Sequence, residues 1–182
     1  MKISKGFTLV ELMVGVAIIG IALAVALPNF NNWIVQIRVD NEISQIHRLL
    51  LTARNTAINL EHEVIVCPLD GKNCVDDWSR EISAFVDVNN NGDFDSADNE
   101  TIIRVKAAID DGDALTFQRT SLTYQPTGQA GGAAGTFAYC PKDLPQFNRG
   151  VIVSLRGRAI QTRDTDNDNI DETRAGADVT CE

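Results

Sequence analysis

The sequence predicts an α+β protein: a long N-terminal helix, its first half apolar enough to cross a membrane, packed on a β domain of two antiparallel sheets. Three observations predict this. An apolar run from Phe7 to Leu27 is followed by Asn29–Leu60, a stretch with neither glycine nor proline. After Glu61 the hydrophobic pattern changes to short β-branched or aromatic runs cut by turn residues. No second helical stretch separates those runs, so successive strands are expected to pair antiparallel. The expected segments are 1–6, a leader; 7–60, the helix; and 61–182, the β domain.

Composition agrees with one folded domain plus an extra element. The chain has 182 residues, 44% of them hydrophobic and 23% charged, which excludes wholesale disorder. The formal net charge is -9. An acidic body keeps the protein soluble and disfavours non-specific nucleic-acid binding over most of its surface.

Met1–Gly6 is short and basic, and the run Phe7–Leu27 carries Glu11 as its charge. That run makes about 31 Å of helix, the thickness of a bilayer core. A secretory signal peptide would place a small-residue cleavage site after a shorter apolar core; here the small residue, Gly6, precedes it. A plain anchor leaves Glu11 unexplained, because an intramembrane carboxylate is costly and marks function by default. Beyond Pro28, Asn31, Asn32 and Asp40 form a polar collar. Ile43, Ile46, Leu50, Ala53, Ala57 and Leu60 then recur at steps of three and four, one apolar face of the same helix. His47 and His62 lie on or at the end of that helix and read as solvated or satisfied side chains.

Strands are expected at Glu63–Cys67, Ser83–Val88, Thr101–Val105, Leu122–Tyr124, Thr136–Cys140 and Gly150–Ser154, with a last one over Arg158–Thr162. Gly128–Gly135 reads as a flexible linker; it lacks the ending and context of a phosphate loop. Cys67, Cys74, Cys140 and Cys181 all follow the apolar stretch. Four cysteines in an exported domain allow three connectivities. The local pairing is Cys67–Cys74 with Cys140–Cys181. The spacings fit no common zinc pattern.

Three clusters are candidate sites. Asp87, Asn89, Asn91, Asp95 and Asp98, with Gly92 after the third oxygen position, have the spacing of a calcium loop, although strands rather than helices flank it and Asn-Gly is strong hairpin chemistry. Asp164, Asp166 and Asp168, with Asp171 and Glu172, form a second acidic loop of similar ligand density. Calcium is the candidate ion for both; no cofactor is required. Arg149, Arg156, Arg158 and Arg163 cluster just before that second loop, and several cations together are what phosphate contacts need. Strand alternation could equally place Arg156 and Arg158 on one outward face. No nucleophile elbow, metalloprotease helix or local Cys–His pair is present, so an enzyme is not expected.

Two resemblances sharpen this reading. Lys5-Gly6-Phe7-Thr8-Leu9-Val10-Glu11 resembles the type IV prepilin signature, G-F-T-L-[IV]-E. It implies cleavage by prepilin peptidase between Gly6 and Phe7, N-methylation of Phe7, and pairing of Glu11 with the N-terminal amine of a neighbouring subunit. Pro28 matches the family's helix-bending proline. Cys67-Pro68, Asp70-Gly71, Cys74, Trp78, Phe85-Val86-Asp87, Asn91-Gly92 and Glu100 are similar to the GspH/FimT family of minor pilins and pseudopilins. That resemblance implies a minor pilin that helps initiate or assemble a type IV pilus near its tip. Its partners would be other minor and major pilins through their N-terminal helices, and the inner membrane before assembly, with the globular domain in the periplasm. The first cysteine pair looks more like the FimT or FimU branch than the GspH branch, a minor pseudopilin of type II secretion. Arg156-Gly157-Arg158 resembles the Gly-Arg-x-Arg element by which FimT-type pilins bind DNA, with Ile160 in place of the last arginine. DNA, bound through Arg156, Arg158 and Arg163, is therefore a candidate partner.

Overall fold

In the computed structural model the described residues are 8–168 and 170–181, with the side chains of 25–29 left aside. Helix α1 runs Leu9–Leu60. It is followed by β1 (Glu63–Asp70), β2 (Asn73–Cys74), β3 (Ile82–Asp87), β4 (Ile102–Lys106), β5 (Ala114–Thr116), β6 (Leu122–Tyr124), β7 (Gly135–Cys140), β8 (Arg149–Val153) and β9 (Ala159–Gln161). One sheet has the order β2-β1-β3-β4, with β6 also pairing β1; the other has the order β5-β7-β8-β9. Every pairing is antiparallel. The expected fold class is thus the observed one.

The chain divides into two compact units, one reaching Ile37 and one from Arg38 onward. The division falls inside α1, and burial explains it. In the first unit Leu9, Val10, Leu12, Met13, Val16, Ile18, Ile19 and Ile21 are each more than half exposed. Among the described residues no helix is long and apolar enough to cross a membrane; in sequence the apolar run continues into 25–27, whose side chains are not described. The helix runs unbroken through Pro28, where the missing N–H removes one backbone rung.

In the second unit Val39, Ile43, Ile46, Leu49, Leu50, Ala53 and Ala57 are buried. This is the expected face, joined by Val39 and Leu49. Leu60 departs from it and is 52% exposed, because α1 ends there and Glu61 turns into the left-handed region at φ 58. The His47 Nε2 lies 3.1 Å from the Ala159 carbonyl, and Arg54 Nε donates to Gly128 O at 2.9 Å. These contacts tie the helix to β9 and to the loop before β7.

Strand β1 is buried along both faces. Val64 and Val66 face the same way as their partners Val86 and Ala84. On the other face Ile65, Cys67 and Phe85 form a small core roofed by Leu69, Cys74 and Phe94. Phe94 meets Phe85 edge-on at 5.4 Å. Trp78 packs against Phe117 and Phe137 at 5.5 and 5.1 Å, and its indole N–H donates to Arg119 O.

Gly128–Gly135 is not the free linker expected from its composition. Ala130 and Ala133 are buried, Ala130 bridges Tyr124, and Ala130 N donates to Leu155 O. Small side chains are required there because the loop lies directly against the β8–β9 turn. A Cβ on Gly157 would collide with the Gly128 carbonyl oxygen.

Candidate functional site

At the entry of α1, Thr8 and Glu11 form a reciprocal cap. Glu11 Oε2 accepts from Thr8 N at 2.8 Å and Thr8 Oγ1 at 2.9 Å. Thr8 Oγ1 accepts from Glu11 N at 3.3 Å. This is a capping box, which satisfies two of the donors that a helix start leaves open. The spacing Thr-x-x-Glu carried that signal in the sequence. Gly6 and Phe7, the expected cleavage and methylation positions, lie outside the described residues.

Both disulfides of the local pairing are present, Cys67–Cys74 and Cys140–Cys181. The first closes the β1–β2 hairpin. The second fastens the C-terminal tail to the end of β7.

In the first acidic loop the side-chain oxygens accept from N–H groups of the loop itself. Asp87, 1% exposed, accepts from Asn91 N and Gly92 N at 3.3 and 3.0 Å. Asn89 Oδ1 accepts from Asn91 N, and Asn91 Oδ1 from Asp93 N. Asp95 pairs with Lys72 at 2.7 Å. Asp98 accepts from the Asn89 amide at 2.7 Å. Lys72 holds the Asp95 carboxyl below the usual carboxylate range, with the Ala97 N–H adding to this. Glu100, buried, accepts from Val88 N and Asp95 N at 3.1 and 2.7 Å. Glu100 was not among the expected ligands; it is the clamp that closes the loop and brings Phe94 over Phe85. The oxygens of Asp87, Asp95 and Asp98 do not converge: among the described residues one carboxylate group does so, and it lies in the second loop.

There, Asp164, Asp166, Asp168 and Glu172 each offer an oxygen within 4.8 Å of the others. Asp171 leaves the group: it accepts from Thr162 Oγ1 at 2.6 Å and pairs with Arg149 at 3.3 Å. Local desolvation, opposed by the Asp168 N–H but reinforced by the charges of Asp168, Glu172 and Asp164, pushes the carboxyl of the exposed Asp166 up. Hydrogen bonds from Thr165 pull the Glu172 carboxyl down.

Arg156 and Arg158 lie on the β8–β9 turn and, with Arg174, Thr136, Ile152 and Ser154, line a cleft of about 690 Å³. Arg174, distant in sequence, was not anticipated. Arg163 is not part of that cleft; it lines a neighbouring hollow with Asp164 and Asp171 and a third one with Arg174. Gly157 between the two arginines sits at φ 75, and its close approach to Gly128 accounts for the glycine.

A long helix with antiparallel sheets carried on its C-terminal half is the pilin fold, and comparison with known proteins agrees. The family described as Type II transport protein GspH matches residues 42–157, and the prokaryotic N-terminal methylation motif matches residues 1–27. The chain therefore belongs to the GspH family and carries the N-terminal methylation motif of pilin-type proteins. It is 36% identical over 100 residues to a fimbrial protein of Pseudomonas aeruginosa, covering 55% of this chain and 64% of that one. It is 38% identical over 82 residues to the type IV major fimbrial protein FimA of Dichelobacter nodosus, 43% of this chain and 44% of that one. The matches thus span less than two thirds of these relatives' length. The crystal structure of the type IV minor pilin FimU of Pseudomonas aeruginosa superposes with a TM-score of 0.55 at 18% identity, covering 69% of this chain and 88% of that one. Proteins of this family are structural rather than catalytic and are membrane-anchored or pilus-associated.

Proposed function

We propose that this chain is a minor pilin, processed by prepilin peptidase between Gly6 and Phe7 and methylated at Phe7, that helps initiate or assemble a type IV pilus near its tip. The observation that carries the reading is the exposed apolar first half of α1, from Leu9 to Leu23. An apolar surface of that extent calls for cover. A bilayer covers it before assembly, and the N-terminal helices of neighbouring pilins cover it afterwards. The protein is then a single-pass inner-membrane protein, with its β domain in the periplasm, until it enters the filament. Glu11 lies at the start of that surface and supplies a carboxylate for a neighbour's terminal amine. Shearing pili from the native host and probing them for this chain tests the proposal. Its presence in the sheared fraction supports incorporation; confinement to the membrane fraction counts against it.

The description of the matched family favours a second reading, a minor pseudopilin of a type II secretion machine. The convergence of Arg156, Arg158 and Arg174 favours an added DNA-receptor role. A gel shift with duplex DNA at low salt that stays negative would end the latter.

A further inference from the structure

We propose that the second acidic loop is a calcium site, with Asp164, Asp166, Asp168 and Glu172 as its carboxylate ligands. Two oxygens bound to one Ca²⁺ at 2.3–2.6 Å stand no more than about 5 Å apart. The four carboxylates here meet that limit, with ligand oxygens within 4.8 Å of one another. Asp164, Asp166 and Asp168 supply them at alternate positions, while Glu172 returns from the far side of the loop. Glu172 gives the independent sign of a missing partner. It is only 6% exposed. Its Oε2 is taken by Thr165 N and Oγ1 at 2.7 and 2.8 Å, while its Oε1 is buried with no hydrogen bond. A buried carboxylate oxygen left unsatisfied is expensive, and a cation at the centre of the group removes that cost. No ion pair among the described residues reaches Asp166, Asp168 or Glu172. Arg149 Nε stands 3.3 Å from Asp171 Oδ1, outside the four-carboxylate group. Hard oxygen donors at this density suit Ca²⁺, whereas Mg²⁺ prefers fewer carboxylates and retained water.

The site sits where an ion would matter. Glu172 bridges Arg163 on one side and Asp178 on the other, and the tail is fastened at Cys181. Calcium would lock the stretch between Arg163 and Asp178, including Arg174 at the arginine cleft.

The test is calorimetric titration of calcium into the full-length, oxidised chain in detergent, with thermal unfolding followed alongside. The expected result is saturable binding of one ion in the range of about 10⁻⁴–10⁻³ M typical of extracellular modules, with a rise in Tm. Asp166→Asn and Asp168→Asn, both on the exposed side of the loop, weaken binding at least about tenfold by lowering ligand charge. Glu172→Gln does the same if it folds. Asp98→Asn in the first loop leaves binding unchanged. Absence of heat and of any Tm shift at 10⁻² M calcium (about ten times the weak end of that range) would overturn the proposal. So would equal affinity for Mg²⁺, full binding by Asp166→Asn, or loss of binding in Asp98→Asn.

Discussion

The Lys106 ammonium lies 2.6 Å from the Glu42 carboxylate, joining the end of β4 to α1 with the lysine side chain 2% exposed. Lys106 also donates to the Ala107 carbonyl at 2.9 Å. A pair of this kind contributes little beyond what a hydrophobic pair would, but breaking it strands a charge.

Lys106→Met is accordingly expected to destabilise the protein by about 3 kcal/mol, and the double variant Lys106→Met/Glu42→Leu to recover most of that loss. Urea unfolding of the three proteins checks it. Equal stability of the single variant and the parent would show that the pair is not buried in solution.

Tyr139 and Tyr124 are predicted to respond oppositely to loss of the hydroxyl. Tyr139 donates to Asp113 at 2.5 Å, and Arg38 stands 3.4 Å from the same carboxylate. Tyr124 is buried with its hydroxyl unpaired. Tyr139→Phe should cost about 1–3 kcal/mol, whereas Tyr124→Phe should be neutral or slightly stabilising. Denaturation midpoints decide between these.

Alkaline stability follows from the same two residues. Burial pushes both phenols up, and at Tyr139 the Asp113 carboxylate adds to it. A raised folded-state pKa gives stability that is complete below the unfolded value, about 10 for tyrosine, and is lost as pH rises through the folded value. Stability should therefore be insensitive to these groups at neutral pH and fall above about pH 10. The fall should be shallower in the double Phe variant, as followed by unfolding at a series of alkaline pH values.

The two disulfides should differ in worth. Cys140–Cys181 spans 41 residues and Cys67–Cys74 spans 7. The chain-entropy account gives about 4 and about 2.5 kcal/mol. Cys140→Ser/Cys181→Ser should lower the unfolding midpoint further than Cys67→Ser/Cys74→Ser.

The capping box at Thr8 separates two roles of Glu11. Glutamine also completes a capping box, so Glu11→Gln should keep the helix start yet lose the charge offered to a neighbouring subunit. If charge pairing drives entry into the filament, Glu11→Gln should impair incorporation about as much as Glu11→Ala, with processing intact in both. Normal incorporation of Glu11→Gln would assign the residue to capping alone.

Much of this was legible in the sequence because burial follows period. The face from Ile43 to Ala57 and the strands around Val64, Phe85 and Val151 declare themselves by apolar spacing. β2 and β5 did not: two residues carry no alternation, and β5 buries Leu115 alone, where the equally short β6 buries both Leu122 and Tyr124. The clamp by Glu100 and the lid by Phe94 depend on which way a loop folds, which neither the oxygen spacing of Asp87, Asn89 and Asn91 nor the Asn-Gly turn chemistry sets. Arg174 joins Arg156 and Arg158 only because the tail doubles back through Glu172 toward Cys181, a long-range path set by a disulfide. Glu42 and Lys106 are charged residues on faces that a hydrophobic pattern cannot flag.

The most direct measurement is a clean deletion in the native host, scored together for surface pili and for secreted enzymes, and restored with the intact gene. Loss of pili with secretion intact is the predicted result. Loss of secretion with normal pili would contradict the pilus assignment and place the chain in the secretion machine.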